Sequence, residues 1–263
     1  MKVFEWNIGM AATIPSNQGY NLLPWIIEEI LKEEPDGIVL TEFVVSKGID
    51  YYIRELEKNN YHWFISSDTK SNGILIALKS DSFIFKDTFD YDKSTINIGS
   101  DVLTGKDLPD FYEVIVEWNG KPLSVIGVRI KIDITGNDKT FKKNQFMALD
   151  DYLSKKDHNV ICIGDYNAYW GTLWSSKKNT TLPNTASNNF QIYTPNNSFS
   201  FVLENNKQVP LDHLITNINN EKGIIVKYDW NFINSIRYKC GITAETPKKT
   251  KGLPDHAILK VEI

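Results

Sequence analysis

The chain has 263 residues, of which 41% are hydrophobic and 24% are charged, and this balance is typical of a globular protein rather than a disordered or fibrous one. Its formal net charge of -4 argues against a protein that binds polyanions through bulk positive charge, although a local basic cleft is compatible with it. Only two cysteines are present and they form no CxxC pair, which argues against a disulfide framework or a zinc cage.

The organisation of the chain favours one large α/β domain over residues 1–263. No Pro/Gly/Ser-rich linker and no break in composition divides the sequence. No run approaches the roughly 18 apolar residues that a membrane span needs, and the first residues predict a strand rather than a secretory signal. We therefore expect a monomeric protein without a membrane span, located in the cytoplasm.

The first third of the chain predicts strands that alternate with helices. Residues 3–8 predict a strand, and Asn21 is a candidate N-cap for a helix with an apolar stripe over residues 22–31. A second buried strand, residues 38–40, ends at Thr41-Glu42, and residues 49–56 predict another helix. This alternation is typical of a sheet with helices packed on one face.

The middle of the chain predicts sheet without helices. Strands at residues 61–66, 73–79 and 83–85 are expected in meander order, and the polar residues 87–110 predict a long loop or insertion. Asn119-Gly120 is a strong hairpin signal between the strands 111–118 and 122–132. This part of the chain therefore predicts a second sheet.

The last part of the chain predicts a helix and three or more strands. A helix over residues 140–153 leads to the apolar run 160–163, which predicts a strand buried on both faces, with Gly164 allowing a turn. Residues 211–216 predict another strand with 223–228 as its partner, and residues 257–263 predict the final one. The whole pattern predicts two mixed sheets packed face to face, with helices outside.

Seven polar residues stand where apolar runs begin or end, and open α/β sheets place ligands at the carboxyl ends of strands. Asp and Asn are also ordinary turn residues, so each position alone has a bland interpretation. Several carboxylates are costly to bury unless they bind a cation, so the set predicts a hard-cation site, with Mg²⁺ favoured and Mn²⁺ as a substitute. The seven are Asn7, Glu42, Asp165, Asn167, Asp212, Asp255 and His256.

Five short motifs in this order resemble those of the endonuclease/exonuclease/phosphatase superfamily, the fold of pancreatic-type DNases, AP endonucleases, inositol polyphosphate 5-phosphatases and neutral sphingomyelinases. The motifs are Trp6-Asn7, residues 35–42, residues 164–167, residues 211–214 and Asp255-His256. The resemblance spans residues 3–259. It implies a four-layer α/β sandwich and magnesium-dependent cleavage of a phosphoester by water.

The resemblance also implies roles for the residues that match the motifs. Glu42 would be the main metal ligand, with Asn7 close by and Asp255 beside the metal. Asp165 would orient and deprotonate the attacking water, and Asn167 would hold that water or a phosphate oxygen.

The remaining matched pair concerns the phosphate. The resemblance implies that His256 donates to the scissile phosphate and stabilises its developing charge, while Asp212 orients His256. Fixed donors of this kind are the main catalytic device in phosphoryl transfer.

Arg129 is a departure from the pattern, because many members of the superfamily carry a His at this strand end. An arginine stays charged and cannot serve as a general acid, but it can clamp phosphate oxygens with two N–H groups. We expect Arg129 to bind the phosphate, and leaving-group protonation to fall to a metal-bound water. The alternative is that Arg129 pairs with an acidic neighbour and touches no substrate. Gly9 stands where some AP endonucleases carry an acidic residue, which argues against an abasic-site role.

The substrate is less determined by the sequence. Tyr169, Trp170 and Trp174 follow the Asp-x-Asn motif and are expected to stack on bases, or alternatively to form a small core of their own loop. The first hypothesis is a nuclease acting on DNA or RNA. The second is a phosphatase or phosphodiesterase on a small or lipid phosphoester. The third is a non-catalytic binding module, against which the intact set of motif residues argues.

Overall fold

The computed structural model describes residues 1–9, 22–70, 72–90, 95–98, 101–105, 108–132, 138–168, 190–234 and 254–263. The helices are α1 (Pro24–Leu31), α2 (Ile49–Lys58) and α3 (Asp138–Ser154), with a 3-10 turn at Asn231–Asn234. The strands are β1 (Lys2–Asn7), β2 (Gly37–Phe43), β3 (Tyr61–Ile65), β4 (Gly73–Lys79), β5 (Ile84–Asp90), β6 (Thr95–Ile98), β7 (Asp101–Thr104), β8 (Asp110–Trp118), β9 (Lys121–Arg129), β10 (Asn159–Asp165), β11 (Gln191–Tyr193), β12 (Phe201–Val202), β13 (Gln208–Val209), β14 (Asp212–Thr216), β15 (Ile225–Asp229) and β16 (Ile258–Glu262).

Two six-stranded mixed sheets form the body of the protein. The first sheet has the order β15-β16-β1-β2-β4-β3, and the second has the order β11-β14-β10-β9-β8-β5. Each contains one parallel pair, β1 with β2 and β9 with β10, and a helix joins the two strands of each pair as a crossover connection must. The hairpins β6–β7 and β12–β13 are separate two-stranded ribbons.

The sheets pack face to face and the helices cover their outer faces. The core between the sheets is built from aliphatic residues of both, among them Val39, Ile74, Val125, Ile163 and Leu214. Further apolar clusters join α1 and α2 to the first sheet and α3 to the second. The architecture is therefore the predicted four-layer sandwich of helix, sheet, sheet and helix.

Gly127 shows how closely the two sheets approach. A Cβ atom at this position would lie 2.5 Å from Ile74 Cγ2 and 2.9 Å from Val39 Cγ1, both on the opposite sheet. These separations are shorter than a carbon–carbon contact, so only glycine fits here. The ends of β9 and β2 lie close together as well, and Arg129 Nε at the end of β9 is 2.8 Å from Glu42 Oε1 on β2.

Two predictions about strand partners are wrong. β5 pairs with β8 in the second sheet, so the strands over residues 61–85 are not a meander. Residues 87–110, which were predicted as a long loop or insertion, contain the end of β5 and the β6–β7 hairpin, a ribbon outside both main sheets. β15 pairs with β16 in the first sheet, not with β14. Alternation along a strand predicts which face is buried, whereas its partner depends on tertiary packing that the local pattern does not contain.

No helix in the described ranges is long and apolar enough to cross a membrane.

Candidate active site

Four charged residues form a row across one end of the second sheet. Strand register places Asp110 opposite Arg129, Arg129 opposite Asp165, and Asp165 opposite Asp212. Side chains at the same level of neighbouring strands share a face, so the row presents three carboxylates and one guanidinium to the first sheet. A carboxylate, a cation and two further carboxylates side by side are unusual in a buried position, because each charge must find a partner.

Gly164 has a different role from the predicted one. It lies inside β10 rather than in a turn, and a Cβ atom there would stand 1.8 Å from the carbonyl oxygen of Val128 on the neighbouring strand. The chain turns three residues later, at Asn167, whose φ of 47° is a left-handed conformation that Asn tolerates. This turn brings the Asn167 backbone N–H to within 2.8 Å of Asp165 Oδ1.

The end of β2 delivers Glu42 to the same place. The pairing of β2 with β4 shifts register between Leu40 and Phe43, and Glu42 within that bulge has a φ of 51°. A left-handed conformation is strained for a non-glycine residue and is concentrated at functional sites. The bulge turns the Glu42 carboxylate toward the second sheet, where Arg129 Nε donates to its Oε1 at 2.8 Å.

Asn7 links the two sheets through its amide group. Its Nδ2 donates to Asp165 Oδ2 at 3.0 Å and to Glu42 Oε1 at 3.3 Å, while its Oδ1 accepts from the backbone N–H of Gly9. Asn167 Nδ2 also donates to Asp165 Oδ2, at 2.9 Å. Asp165 is therefore fixed by donors on both sides, and its carboxylate has little freedom to rotate.

Asp165 is poised for proton transfer near neutral pH. Burial raises its pKa to about 7, the neighbouring Asp212 adds to this rise, and His256, Arg129 and the Asn167 backbone N–H oppose it. A carboxyl group with a pKa near the working pH is suited to act as a general base.

His256 and Asp212 form a hydrogen-bonded pair beside Asp165. His256 Nδ1 lies 2.8 Å from Asp212 Oδ2, and both side chains are buried. Burial lowers the pKa of His256, but Asp212 and then Asp165 outweigh burial and raise the pKa well above its usual value. The two carboxylates therefore favour the cationic form of the ring, in which Nε2 carries a hydrogen that can be donated to a ligand.

The surroundings hold this pair rigidly. The backbone N–H groups of Leu211 and Asp212 donate to Ser200 Oγ, and the Tyr228 hydroxyl donates to the Asp212 carbonyl oxygen. Trp6 Nε1 donates to the His256 carbonyl oxygen at 2.9 Å. The Trp6 of the first motif thus supports the site from beneath, next to the Asn7 that lines it.

Arg129 makes two ion pairs. Besides Glu42, it contacts Asp110, with 3.2 Å between Nη1 and Oδ2, and Lys131 Nζ lies 3.1 Å from the other oxygen of Asp110. Pairing with acidic neighbours is the contact that the alternative interpretation of Arg129 expected. Asp110 was not predicted as a site residue at all.

A cleft of about 460 Å³ opens over these residues. Its polar side is formed by Glu42, Arg129, Asp165, Asn167, Asp255 and His256, together with Lys142 from α3. The apolar part of its lining is formed by Ile132, Phe201, Leu203, Val209 and Leu211, and the Phe201 ring packs on His256 with 4.8 Å between the ring centroids. Asn7 and Asp212 do not line the cleft but are hydrogen-bonded to residues that do. The eight predicted site residues that the structure describes therefore come together: Asn7, Glu42, Arg129, Asp165, Asn167, Asp212, Asp255 and His256. Tyr169, Trp170 and Trp174 lie outside the described residues.

Glu5 is a fully buried carboxyl group that the sequence interpretation missed. It stands on the same side of β1 as Asn7, its Oε1 accepts from Thr41 Oγ1 at 3.0 Å, and its Oε2 has no hydrogen-bond partner among the described residues. Burial raises its pKa well above the usual value, and Asp212 and Asp165 add to the rise. The sequence does contain a signal for this burial, because Glu5 and Asn7 alternate along an otherwise apolar strand and therefore share one face of it.

Glu5→Gln is expected to stabilise the metal-free protein increasingly as pH rises. A raised pKa means that the stability contributed by Glu5 is full below its unfolded pKa, near 4.5, and is lost as pH rises toward the folded pKa. Glutamine stays neutral and escapes this loss, so we expect a gain of about 1–3 kcal/mol at pH 8 and little at pH 4. Urea unfolding at both pH values measures it, with Glu262→Gln at an exposed position as the control. A difference that does not depend on pH would contradict this account.

The donor set suits a hard divalent cation. In the described structure both hydrogen bonds of Glu42 fall on Oε1, and the buried Asp212 Oδ1 has no partner. Asp165, Asp212 and His256 also offer ligand atoms within 4.8 Å of one another, but His256 Nδ1 is already engaged by Asp212. Oxygen-rich donors with few nitrogens favour Mg²⁺ or Mn²⁺ over zinc.

Solved structures with the same fold were found, whereas no family model and no curated protein matches the sequence. An AP endonuclease from Archaeoglobus fulgidus has a TM-score of 0.64 and 14% identity, covering 100% of this chain and 98% of its own. D. rerio TDP2 complexed with single-strand DNA product has a TM-score of 0.58 and 12% identity, covering 100% and 99%. The human Nocturnin catalytic domain with bound sulfate has a TM-score of 0.58 and 15% identity, covering 100% and 94%. The chain therefore has the DNase I-like fold that its motifs predicted.

Proposed function

We propose that this chain, which has the fold of the endonuclease/exonuclease/phosphatase superfamily, is a metal-dependent phosphodiesterase that hydrolyses nucleic acid by attack of water. The observation that carries the proposal is the convergence of the Asp165 carboxylate, the Asp212–His256 pair and the strained Glu42 on one cleft. The reaction needs a base for water, a cationic donor for the phosphate and ligands for a divalent ion, and these three groups supply them.

Asp165 is the proposed base. Its pKa of about 7 allows it to take a proton from water at neutral pH, and the Asn7 and Asn167 amides hold its oxygens in one orientation. Asn167 lines the cleft next to Asp165, where it can hold the water or a phosphate oxygen. Fixed orientation matters because a base contributes only when the water stands in line with the bond that breaks.

His256 is the proposed phosphate donor. It is a cation because Asp212 and Asp165 raise its pKa, and it lines the cleft while its Nδ1 is held by Asp212. A fixed cationic N–H stabilises the charge that develops on the phosphate oxygens in the transition state.

Glu42 is the proposed metal ligand, with Asn7 and Asp255 beside it. Burial raises the pKa of Glu42, but Arg129, His256 and the Asn7 amide outweigh burial and leave the pKa lowered, so the charged carboxylate that a cation needs is favoured. A bound divalent cation, Mg²⁺ or Mn²⁺, would neutralise phosphate charge and lower the pKa of water. Protonation of the leaving group would then need no side chain of its own.

Nucleic acid is the proposed substrate for two reasons. D. rerio TDP2, which shares the fold, holds a single-strand DNA product, and the A. fulgidus neighbour is an AP endonuclease. The cleft is lined by the cationic groups of Arg129, Lys142 and His256 and by apolar side chains that include Phe201, which suits a phosphate flanked by a sugar and base. Tyr169, Trp170 and Trp174 remain proposed substrate contacts on their position in the sequence alone.

The test is a panel of phosphoesters with the purified protein. Plasmid, single-stranded DNA, RNA, an abasic duplex, a small phosphodiester and a phosphomonoester are incubated with Mg²⁺, with Mn²⁺ and with EDTA. We expect metal-dependent cleavage of at least one nucleic acid, and its loss in Glu42→Ala. Turnover of the small esters alone would replace the nuclease by a small-phosphoester hydrolase. Metal binding without any turnover would support a binding module instead.

A further inference from the structure

Arg129 stands where a metal ion and Glu42 would meet. Its Nε donates to Glu42 Oε1 at 2.8 Å, and the two side chains are only 14% and 17% exposed. A buried carboxylate needs a counter-charge, and in the described structure the guanidinium supplies it. A divalent ion on Glu42 would place two more positive charges within a few ångströms of this arginine.

Asp110 holds the other edge of the guanidinium. Its register position opposite Arg129 puts Oδ2 3.2 Å from Nη1, and its side chain is only 7% exposed. The Arg129 charge is therefore divided between Glu42, on the cleft side, and Asp110, behind it. Lys131 Nζ lies 3.1 Å from the remaining oxygen of Asp110.

We propose that Arg129 is the resident counter-ion of Glu42 and competes with the divalent cation for it, and that Asp110 is a positioning residue that sets the strength of this competition. The inference rests on the proposed function, because it assumes that Glu42 is the metal ligand. It makes metal binding weak in the free protein. A substrate phosphate that draws the guanidinium off Glu42 would strengthen metal binding, so substrate and metal would bind cooperatively.

The two residues have opposite effects under this proposal. Arg129→Gln removes a positive charge from beside Glu42, so Mg²⁺ should bind about tenfold more tightly. Asp110→Asn removes the negative charge that offsets Arg129, so Mg²⁺ should bind about three- to tenfold more weakly. If Arg129 served only to hold Glu42 in place, both substitutions would loosen Glu42 and both would weaken metal binding.

Isothermal titration calorimetry with Mg²⁺, and electron paramagnetic resonance of free Mn²⁺, measure these affinities without substrate. Lys131→Gln is the matched control, since it removes a positive charge from the same Asp110 and leaves the Arg129–Glu42 ion pair in place, so its Mg²⁺ affinity should change much less than that of Arg129→Gln. Glu42→Gln should abolish the binding that is being measured. Arg129→Lys keeps the positive charge but loses the planar guanidinium, so its Mg²⁺ affinity should lie between those of wild type and Arg129→Gln.

Thermal unfolding gives a second readout. Arg129→Gln leaves Glu42 without its counter-ion, so the variant should be less stable than wild type without metal and should gain more from saturating Mg²⁺. Arg129→Gln that binds Mg²⁺ no more tightly than wild type would overturn the inference, and if it does not fold, Asp110→Asn with unchanged or higher affinity would do the same. Neither result touches the proposed function, which would fail separately if the metal-loaded wild type cleaved no phosphodiester.

Discussion

Asp165→Asn is expected to lower kcat on a phosphodiester by about a thousandfold, since general bases contribute about 10² to 10⁴ and asparagine cannot take a proton from water. Asparagine has nearly the same shape, and its oxygen at the Oδ2 position can still accept from the Asn7 and Asn167 side-chain amides, while its NH2 group replaces the oxygen that accepts from the Asn167 backbone N–H. The loss would therefore reflect proton transfer rather than a change of fold. Single-turnover kinetics at saturating metal measures the chemical step directly.

The pH dependence identifies Asp165 as the group responsible. Because burial raises its pKa to about 7, the wild-type rate should rise with pH up to roughly neutral, and a bound cation would move this rise to lower pH. The residual activity of Asp165→Asn should lack the rise. A variant that loses rate but keeps the wild-type pH profile would assign the base to another residue.

The free energy of unfolding of Asp165→Asn distinguishes a loss of catalysis from a loss of folded structure. A raised carboxyl pKa costs stability as pH rises from its unfolded value toward about 7, so metal-free Asp165→Asn should be at least as stable as wild type at pH 8. Asp157→Asn is a matched control, because it makes the same chemical change at an exposed residue just before β10. An inactive variant of higher stability is the expected mark of a functional carboxylate.

Much of the site was predictable because strand ends at one edge of a sheet converge. Asn7, Glu42 and Asp165 each follow a buried apolar run, and the structure joins them through the Asn7 amide. Asp110, the first of the four charged residues across the second sheet, could also have been predicted from the sequence. A hairpin around Asn119-Gly120 sets Asp110 opposite Arg129, so the register alone indicates the partner of the unusual arginine.

Other features could not be predicted, for physical reasons that lie outside the local sequence. The left-handed φ of Glu42 arises in a bulge of β2 against β4, and glutamate carries no turn signal. β5 follows the first-sheet strands β3 and β4 in the chain but pairs with β8 in the second sheet. The sheet that it joins depends on which sheet edge is free once both sheets have formed. Strand propensity is a property of one chain segment, whereas the bulge at Glu42 and the pairing of β5 with β8 each depend on how two segments pack together.

Asp212 and His256 are expected to act as one unit. Each of Asp212→Asn and His256→Gln should lower kcat by about a hundred- to a thousandfold, and the double variant should cost little more than either single one. Without the Asp212 carboxylate the 2.8 Å contact to His256 Nδ1 loses its charge, and the imidazole no longer has a fixed cationic form. A double-mutant cycle on kcat measures the coupling.

The direction of the pH change tests the cause of that coupling. Asp212 raises the pKa of His256 against the effect of burial, so removing it should lower that pKa and move the alkaline loss of activity to lower pH. His213→Gln is the control, because this buried histidine bonds Thr194 Oγ1 and the Ala168 carbonyl oxygen, and burial lowers its pKa. It should reduce stability and leave the pH profile in place. Additive losses from Asp212→Asn and His256→Gln would show that the carboxylate reaches the phosphate by a route other than the imidazole.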